Sequence, residues 1–160
     1  MINYQKLTQV GIAGFGAYVP HHRITTNEIA ATWHKNGSQI AAALGVVKKA
    51  IAANDEDCIT MASEAALTAL NMSDIDPTKL GACFMGSESF PYAVKPSSTI
   101  LANMLRMGGE YFSADLEFAC KAGTASLQVV SALIESGMIN SGLAVGSDKS
   151  QARPSDVLEY

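Results

Sequence analysis

A cysteine, a glutamate and the small residues around them are the parts of this sequence that could do chemistry. Cys120 lies in Asp115-Leu-Glu-Phe-Ala-Cys-Lys-Ala-Gly-Thr-Ala-Ser-Leu-Gln128, which reads as a strand, then the cysteine, then a helix of small residues. A thiol at a helix start meets unpaired backbone N–H groups and the positive end of the helix dipole. Both favour the thiolate, which is the nucleophilic form. Ala119 and Ala122-Gly-Thr-Ala125 are small enough to let that helix start sit deep among other elements. The competing reading is a buried free cysteine acting as a small hydrophobe, and spacing alone leaves both standing.

Glu88 follows a short apolar run directly, in Gly86-Ser-Glu-Ser-Phe-Pro91. A carboxylate at a strand end beside apolar residues can work as an acid or base. The alternative is a solvated loop glutamate. Cys83, inside Ala82-Cys-Phe-Met85, reads as strand core, and Cys58, next to Asp57 in the first turn of a helix, reads as inert. His21, His22 and His34 share no metal-ligand spacing, so no metal site is expected. Asp115 and Glu117 alternate along one strand face and read as a solvated or hydrogen-bonded edge rather than a paired-carboxylate site.

The elements that would position these groups can be read in order. Val10–Val19 alternates apolar residues with glycine and predicts a strand ending at Pro20. Gly11, Gly14 and Gly16 admit a phosphate cradle, but Pro20 stops a helix from following, which favours a glycine-rich strand in close packing. Thr25-Thr-Asn-Glu28 reads as a cap before a short helix, Glu28–His34, and Ser38–Leu44 as a second helix. Gly45–Ala53 reads as a connection. Asp55-Glu-Asp57 puts negative charge ahead of a longer helix running to about Leu70, with Ile59, Ala62, Ala66 and Ala69 on one stripe. After the turn Asp74-Ile-Asp-Pro77, the chain predicts a buried strand at Leu80–Gly86 and a polar loop to Ser97. It then predicts a helix at Ser98–Met107 ended by Gly108-Gly109, a strand at Tyr111–Phe118, a helix at Cys120–Ser136 and a strand at Gly142–Gly146. The order β-α-α-β-α-β-α-β predicts an α/β domain with a mixed or parallel sheet.

Composition limits the function classes. The chain has 160 residues, 48% hydrophobic and 16% charged, which suits one domain with a sizeable core rather than a disordered segment. A net charge of −4 argues against a nucleic-acid binder. Three cysteines with no C-x-x-C pair predict no disulfide framework and a reducing, cytoplasmic setting. No leader-like start and no bilayer-length apolar run is evident, so no membrane association is expected. The stretch Ser147–Tyr160 lacks strong periodicity and reads as an ending in mid-architecture.

Four stretches together resemble the N-terminal half of the archaeal-type 3-hydroxy-3-methylglutaryl-CoA (HMG-CoA) synthases. They are Val10-Gly-Ile-Ala-Gly-Phe-Gly-Ala-Tyr-Val-Pro20, Gly86-Ser-Glu-Ser-Phe-Pro-Tyr-Ala-Val-Lys-Pro96, Asp115-Leu-Glu-Phe-Ala-Cys-Lys-Ala-Gly-Thr124, and Ser136-Gly-Met-Ile139 with Gly142-Leu-Ala-Val-Gly146. The resemblance implies a thiolase-like fold, two α/β halves packed as five layers, with the cysteine at the start of a buried central helix. Residues 1–160 would then form one half-domain, incomplete at its C-terminal end. The resemblance makes Cys120 the acyl-accepting nucleophile and Glu88 the general acid/base. It puts Asn36 and Gly37, in the loop Trp33-His-Lys-Asn-Gly37, near a CoA pocket, with Asn36 standing where the family more often has Asp.

No cofactor is implied beyond CoA thioester substrates, namely acetyl-CoA and acetoacetyl-CoA. Implied partners are a chain carrying the C-terminal half, a thiolase and an OB-fold zinc accessory protein, in a homo- or hetero-oligomer. The family's catalytic histidine and its phosphate-holding basic residues come from the second half. Lys149 and Arg153 depart from the family's small or neutral residues. Two other readings remain: a non-catalytic structural half in a thiolase–synthase assembly, and a ketoacyl synthase III-like condensing enzyme, against which the Glu88 motif argues.

Overall fold

The computed structural model describes residues 10–149. They fall into two compact units: the chain up to Tyr18 with Cys58–Asp148, and Val19–Asp57 with the chain from Lys149.

The larger unit is built on three parallel strands, β3 (Ala82–Gly86), β4 (Phe112–Leu116) and β5 (Leu143–Gly146), in the order β4-β3-β5. Cys83 pairs with Ser113 and Leu143, and Gly86 with Leu116 and Gly146, so all three strands end level. The central strand is covered on both faces, which is why its sequence is a continuous apolar run. On one face Cys83 and Met85 pack against α3 (Cys58–Ser73) and α4 (Ser97–Met104), with Ile59, Ala62, Ala66, Leu101 and Ala102 in the same cluster. On the other, Ala82 packs against Val130 of α5 (Ala122–Glu135). Truncating a side chain as enclosed as Leu101, which is 0% exposed, costs about 2–5 kcal/mol in comparable cores.

The segment Val10–Pro20 is not a strand: it pairs with none of the described strands. Two of its three glycines meet α3 instead, while Gly11 has nothing within 4 Å. A Cβ on Gly14 would strike the Ala69 carbonyl oxygen, and one on Gly16 the Ala65 carbonyl oxygen. Close packing, not a phosphate loop, accounts for these two glycines.

Helix α4 ends three residues earlier than its glycines suggest, at Met104. Arg106 takes the left-handed conformation at φ 58. Its N–H donates to Asn103 O at 3.1 Å, and the Met107 N–H donates to Ala102 O at 3.0 Å. This is the Schellman arrangement with an arginine where glycine is usual. The helix start has no side-chain cap of its own. Asp115 of β4 fills that role: its two carboxylate oxygens accept the N–H groups of Ser97 at 2.6 Å and Ser98 at 2.7 Å. The hydrogen-bonded edge expected at Asp115 is therefore a helix cap supplied from a neighbouring strand.

The smaller unit holds an antiparallel pair, β1 (His22–Thr25) and β2 (Lys48–Ile51), with α1 (Thr26–Thr32) and α2 (Gly37–Leu44) between them in sequence. Neither strand is evident in the sequence, where Gly45–Ala53 reads as a plain connection. They are short, and each finds its partner only beyond two intervening helices, so no local period marks them. The cap of α1 is the expected one. Glu28 accepts from the Thr25 N–H at 2.7 Å while Thr25 Oγ1 accepts from the Glu28 N–H at 3.2 Å. The hydrogen bonds from Thr25 hold the Glu28 carboxyl below its usual range.

Candidate active site

The level ends of the three parallel strands carry the residues of interest. The β3 end leads into Ser87 and Glu88, the β4 end into Glu117 and Cys120, and the β5 end into Asp148. Ligands in parallel α/β sheets commonly bind outside this edge. Here it bears a cleft of about 680 Å³ lined by Ser87, Glu88, Phe90, Pro91, Tyr92, Ala93, Glu117 and Ala119.

Ala119 lines that cleft; Cys120, the next residue, is exposed but is not among the lining residues. It precedes α5 by two residues, where the sequence predicts it as the first helical residue. The helix begins after Lys121 because Ala119 has a left-handed φ of 46, which turns the chain sharply between strand and helix. Two overlapping turns close the corner: Lys121 N–H donates to Phe118 O at 3.1 Å, and Ala122 N–H to Ala119 O at 3.0 Å. A non-glycine residue held in this region costs on the order of 1–3 kcal/mol and is concentrated at functional corners. Nothing in the sequence around Ala119 announces it.

Glycines bring this corner down onto the sheet. A Cβ on Gly86 would strike the backbone of Ala122 and Gly123. Gly123 and Gly146 also meet backbone to backbone, a Cβ on Gly123 lying 3.1 Å from Gly146 Cα. The first turn of α5 therefore rests on the ends of β3 and β5, as the small residues flanking Cys120 suggest. On its sheet side α5 buries Ala122, Ser126 and Val130, while Leu127 stays 46% exposed.

Glu88 is exposed and lines the cleft. Its carboxylate makes no hydrogen bond among the described residues. Its main chain is held instead: the Glu88 N–H donates to Asp148 Oδ1 at 2.6 Å. The same oxygen accepts from Ser87 Oγ at 2.9 Å and Ser89 Oγ at 3.3 Å. Nothing in the sequence singles out Asp148, because its partners lie about sixty positions away and no motif spacing links them. Glu117 is exposed, as a solvated strand edge would be, and also lines the cleft with Glu88.

The other thiols have separate fates. Cys83 is fully buried, and its thiol donates to Ser98 O at 3.5 Å. Burial, and secondarily the charge of Asp115, push its pKa up to about 12. Cys58 is buried too and donates to Ser89 O at 3.4 Å. Both are structural, as the sequence indicates.

Asn36 and Gly37 belong to the smaller unit, and Cys120 and Glu88 to the larger one. Asn36 is the N-cap of α2, its Oδ1 accepting from the Gln39 N–H at 3.1 Å. Asn and Asp serve equally well there, so the departure from Asp has a structural account. Gly37 is buried against Asn27, where a Cβ would collide. Lys149 is half-buried and donates to Glu56 O at 2.6 Å and Ala53 O at 3.2 Å. Arg153 lies outside the described residues. Among the described residues no group of three or more His, Cys, Asp or Glu could hold a metal ion, and no helix is long and apolar enough to cross a membrane.

The chain is 51% identical over 151 residues to a hydroxymethylglutaryl-CoA synthase of Archaeoglobus fulgidus, covering 94% of this chain and 44% of that protein. It is 51% identical over 150 residues to the synthase of Methanocaldococcus jannaschii and 48% over 150 residues to that of Thermoplasma acidophilum, with 94% of the chain again covered. The chain thus spans less than half the length of the curated relatives it matches. No family model matches it. Among solved structures, OleA of Xanthomonas campestris in its cerulenin-soaked form superposes with a TM-score of 0.75 at 22% identity, over 80% of this chain and 41% of that one. An OleA variant with bound lauric acid and lauroyl-CoA gives 0.78 at 21% identity, over 84% and 42%. At that identity the likeness establishes the fold.

Proposed function

Because the chain corresponds to the N-terminal half of the archaeal-type HMG-CoA synthases and folds as half of a thiolase-like architecture, we propose that it carries the acyl-accepting half of a condensing site of that type. The observation that supports this most is that Glu88 and Ala119, the residue before the exposed Cys120, line one cleft at the edge of a parallel sheet.

The chemistry assigns each group a step. The Cys120 sulfur attacks the carbonyl carbon of acetyl-CoA, and the C–S bond to CoA breaks, with CoA leaving as its thiol and carrying the proton that cysteine lost. The acetyl group is then held as a thioester, which acidifies its methyl protons and fixes its position. Glu88 takes one methyl proton, and the resulting carbanion adds to the ketone carbon of acetoacetyl-CoA, whose oxygen gains a proton. Water cleaves the thioester, releasing HMG-CoA and restoring Cys120. In this reading the backbone N–H at Cys120 helps hold the oxyanion that forms at the thioester carbonyl.

The remaining groups come from the C-terminal half, supplied by the same or another chain. The apolar surface at Phe118, 57% exposed, and Leu127 suits a covering partner of this kind. Asn36 and Gly37 are the proposed CoA contacts. The reading is tested with radioactive acetyl-CoA, using the chain together with a C-terminal half from a related synthase. Label on the Cys120 peptide, lost in C120S, supports it. Full assembly and product formation with no label on Cys120 would favour a structural role.

A further inference from the structure

We propose that Asp148 is a positioning residue for Glu88, holding the main chain of the acid/base loop so that the glutamate carboxylate stays available to substrate. The inference rests on the reading of Glu88 as the group that removes the acetyl proton.

The geometry is specific. Hydrogen bonding between β3 and β5 continues past the strand end, with the Ser147 N–H donating to Gly86 O at 3.1 Å. That register sets Asp148 beside residues 87–89. One carboxylate oxygen, Oδ1, gathers Ser87 Oγ, the Glu88 N–H and Ser89 Oγ at 2.9, 2.6 and 3.3 Å. From the other side, the Ser87 N–H donates to Leu116 O at 3.1 Å, and the Ser89 N–H donates to Ser87 Oγ at 3.0 Å. Ser87 itself is fully buried. The loop is thereby tied to both flanking strands through groups other than the Glu88 side chain.

Asp148 Oδ1 is already engaged by three donors, and Asp148 is not among the residues lining the cleft. The glutamate has the complementary arrangement, a fixed backbone and a side chain that makes no hydrogen bond among the described residues. Charge-assisted bonds of this kind are short and directional, and proton transfer is sensitive to displacements of the order of an ångström.

The proposal separates two steps that a general loss of structure would not. Acyl transfer to Cys120 does not need Glu88, whereas exchange of the acetyl methyl protons with solvent does. With the chain and its C-terminal half in heavy water, D148A is expected to keep acetylation of Cys120 near the wild-type rate. Its deuterium incorporation into the acetyl group should fall by about 100-fold, the cost of a misplacement of roughly 1 Å. D148N retains an oxygen acceptor and should recover most of the exchange. E88Q should show the same split as D148A.

Exchange unchanged in D148A overturns the proposal, and so does a parallel loss of acetylation and exchange in both Asp148 variants. If the wild-type protein takes no acetyl group, the functional reading fails, and the placement is still read from the Glu88 amide by nuclear magnetic resonance. A downfield amide proton that moves upfield in D148A and only part of the way in D148N supports Asp148 as its anchor. An amide that does not move refutes it.

Discussion

The seating of α5 on the sheet rests on Gly86, and adding one methyl group there tests the packing that holds Cys120 in place. In Gly86→Ala the new Cβ would occupy space now taken by the Ala122 carbonyl carbon and oxygen and the Gly123 nitrogen. These are backbone atoms in the first turn of a helix, so they cannot swing aside as a flexible side chain would. Overpacking of this kind costs about 1–3 kcal/mol. For a chain of this size each kcal/mol corresponds to a Tm shift of about 2–4 °C, giving an expected loss of roughly 2–12 °C. The control is Gly109→Ala, where nothing lies within 4 Å of the added carbon. That substitution should be neutral or stabilise by up to about 1 kcal/mol through the unfolded state. Urea unfolding of both variants, with the reaction rate of the Cys120 thiol toward a disulfide reagent, measures the two consequences together. Gly86→Ala should lose stability and change Cys120 reactivity, because α5 cannot keep its first turn in place. A Gly86→Ala protein as stable as Gly109→Ala, with unaltered thiol kinetics, would refute the packing argument.

Three further outcomes follow from individual side chains. Arg106→Gly should stabilise the protein by about 1 kcal/mol, since the left-handed φ of an exposed non-glycine residue is relieved; a thermal melt checks the sign. Iodoacetamide applied to the native protein should modify Cys120 and spare buried Cys58 and Cys83, with all three modified after denaturation; peptide mapping reads the pattern. Cys83 also predicts a pH effect. Its folded pKa, near 12, lies above the unfolded value near 9, so the unfolded state releases its proton first as pH rises. Its contribution is complete below about pH 9 and is lost toward pH 12, at a slope of up to about 1.4 kcal/mol per pH unit. Cys83→Ala should remove that slope from the alkaline unfolding profile.

The parts of the fold that declare themselves locally are legible in the sequence. The apolar run at β3, the capping box at Thr25 and Glu28, and the helical stripe from Ile59 to Ala69 each carry a period or a cap within a few residues. The elements that escape depend on distant partners. β1 and β2 stabilise one another across a long separation, and Gly14 and Gly16 of Val10–Pro20, a segment that alternates as a strand does, meet a helix instead. The same division runs through the site. Cys120 and Glu88 stand in recognisable stretches, whereas Asp148 reaches Glu88 through tertiary hydrogen bonds, and the left-handed Ala119 leaves no trace in residue type. Asn36 and Gly37 have local structural roles, as a helix cap and a close helix contact, and residue type alone does not separate such roles from ligand binding.

The central claim is that the sulfur at position 120 accepts an acyl group that then faces Glu88. An experimental structure of the protein with its C-terminal half, trapped after reaction with acetyl-CoA, measures this directly. The expected result is continuous density for a thioester on Cys120, with the methyl carbon about 3–3.5 Å from a Glu88 carboxylate oxygen, the separation expected of groups poised to react. An acetylated Cys120 whose methyl group points away from Glu88, or a bare sulfur in an otherwise active complex, would contradict it.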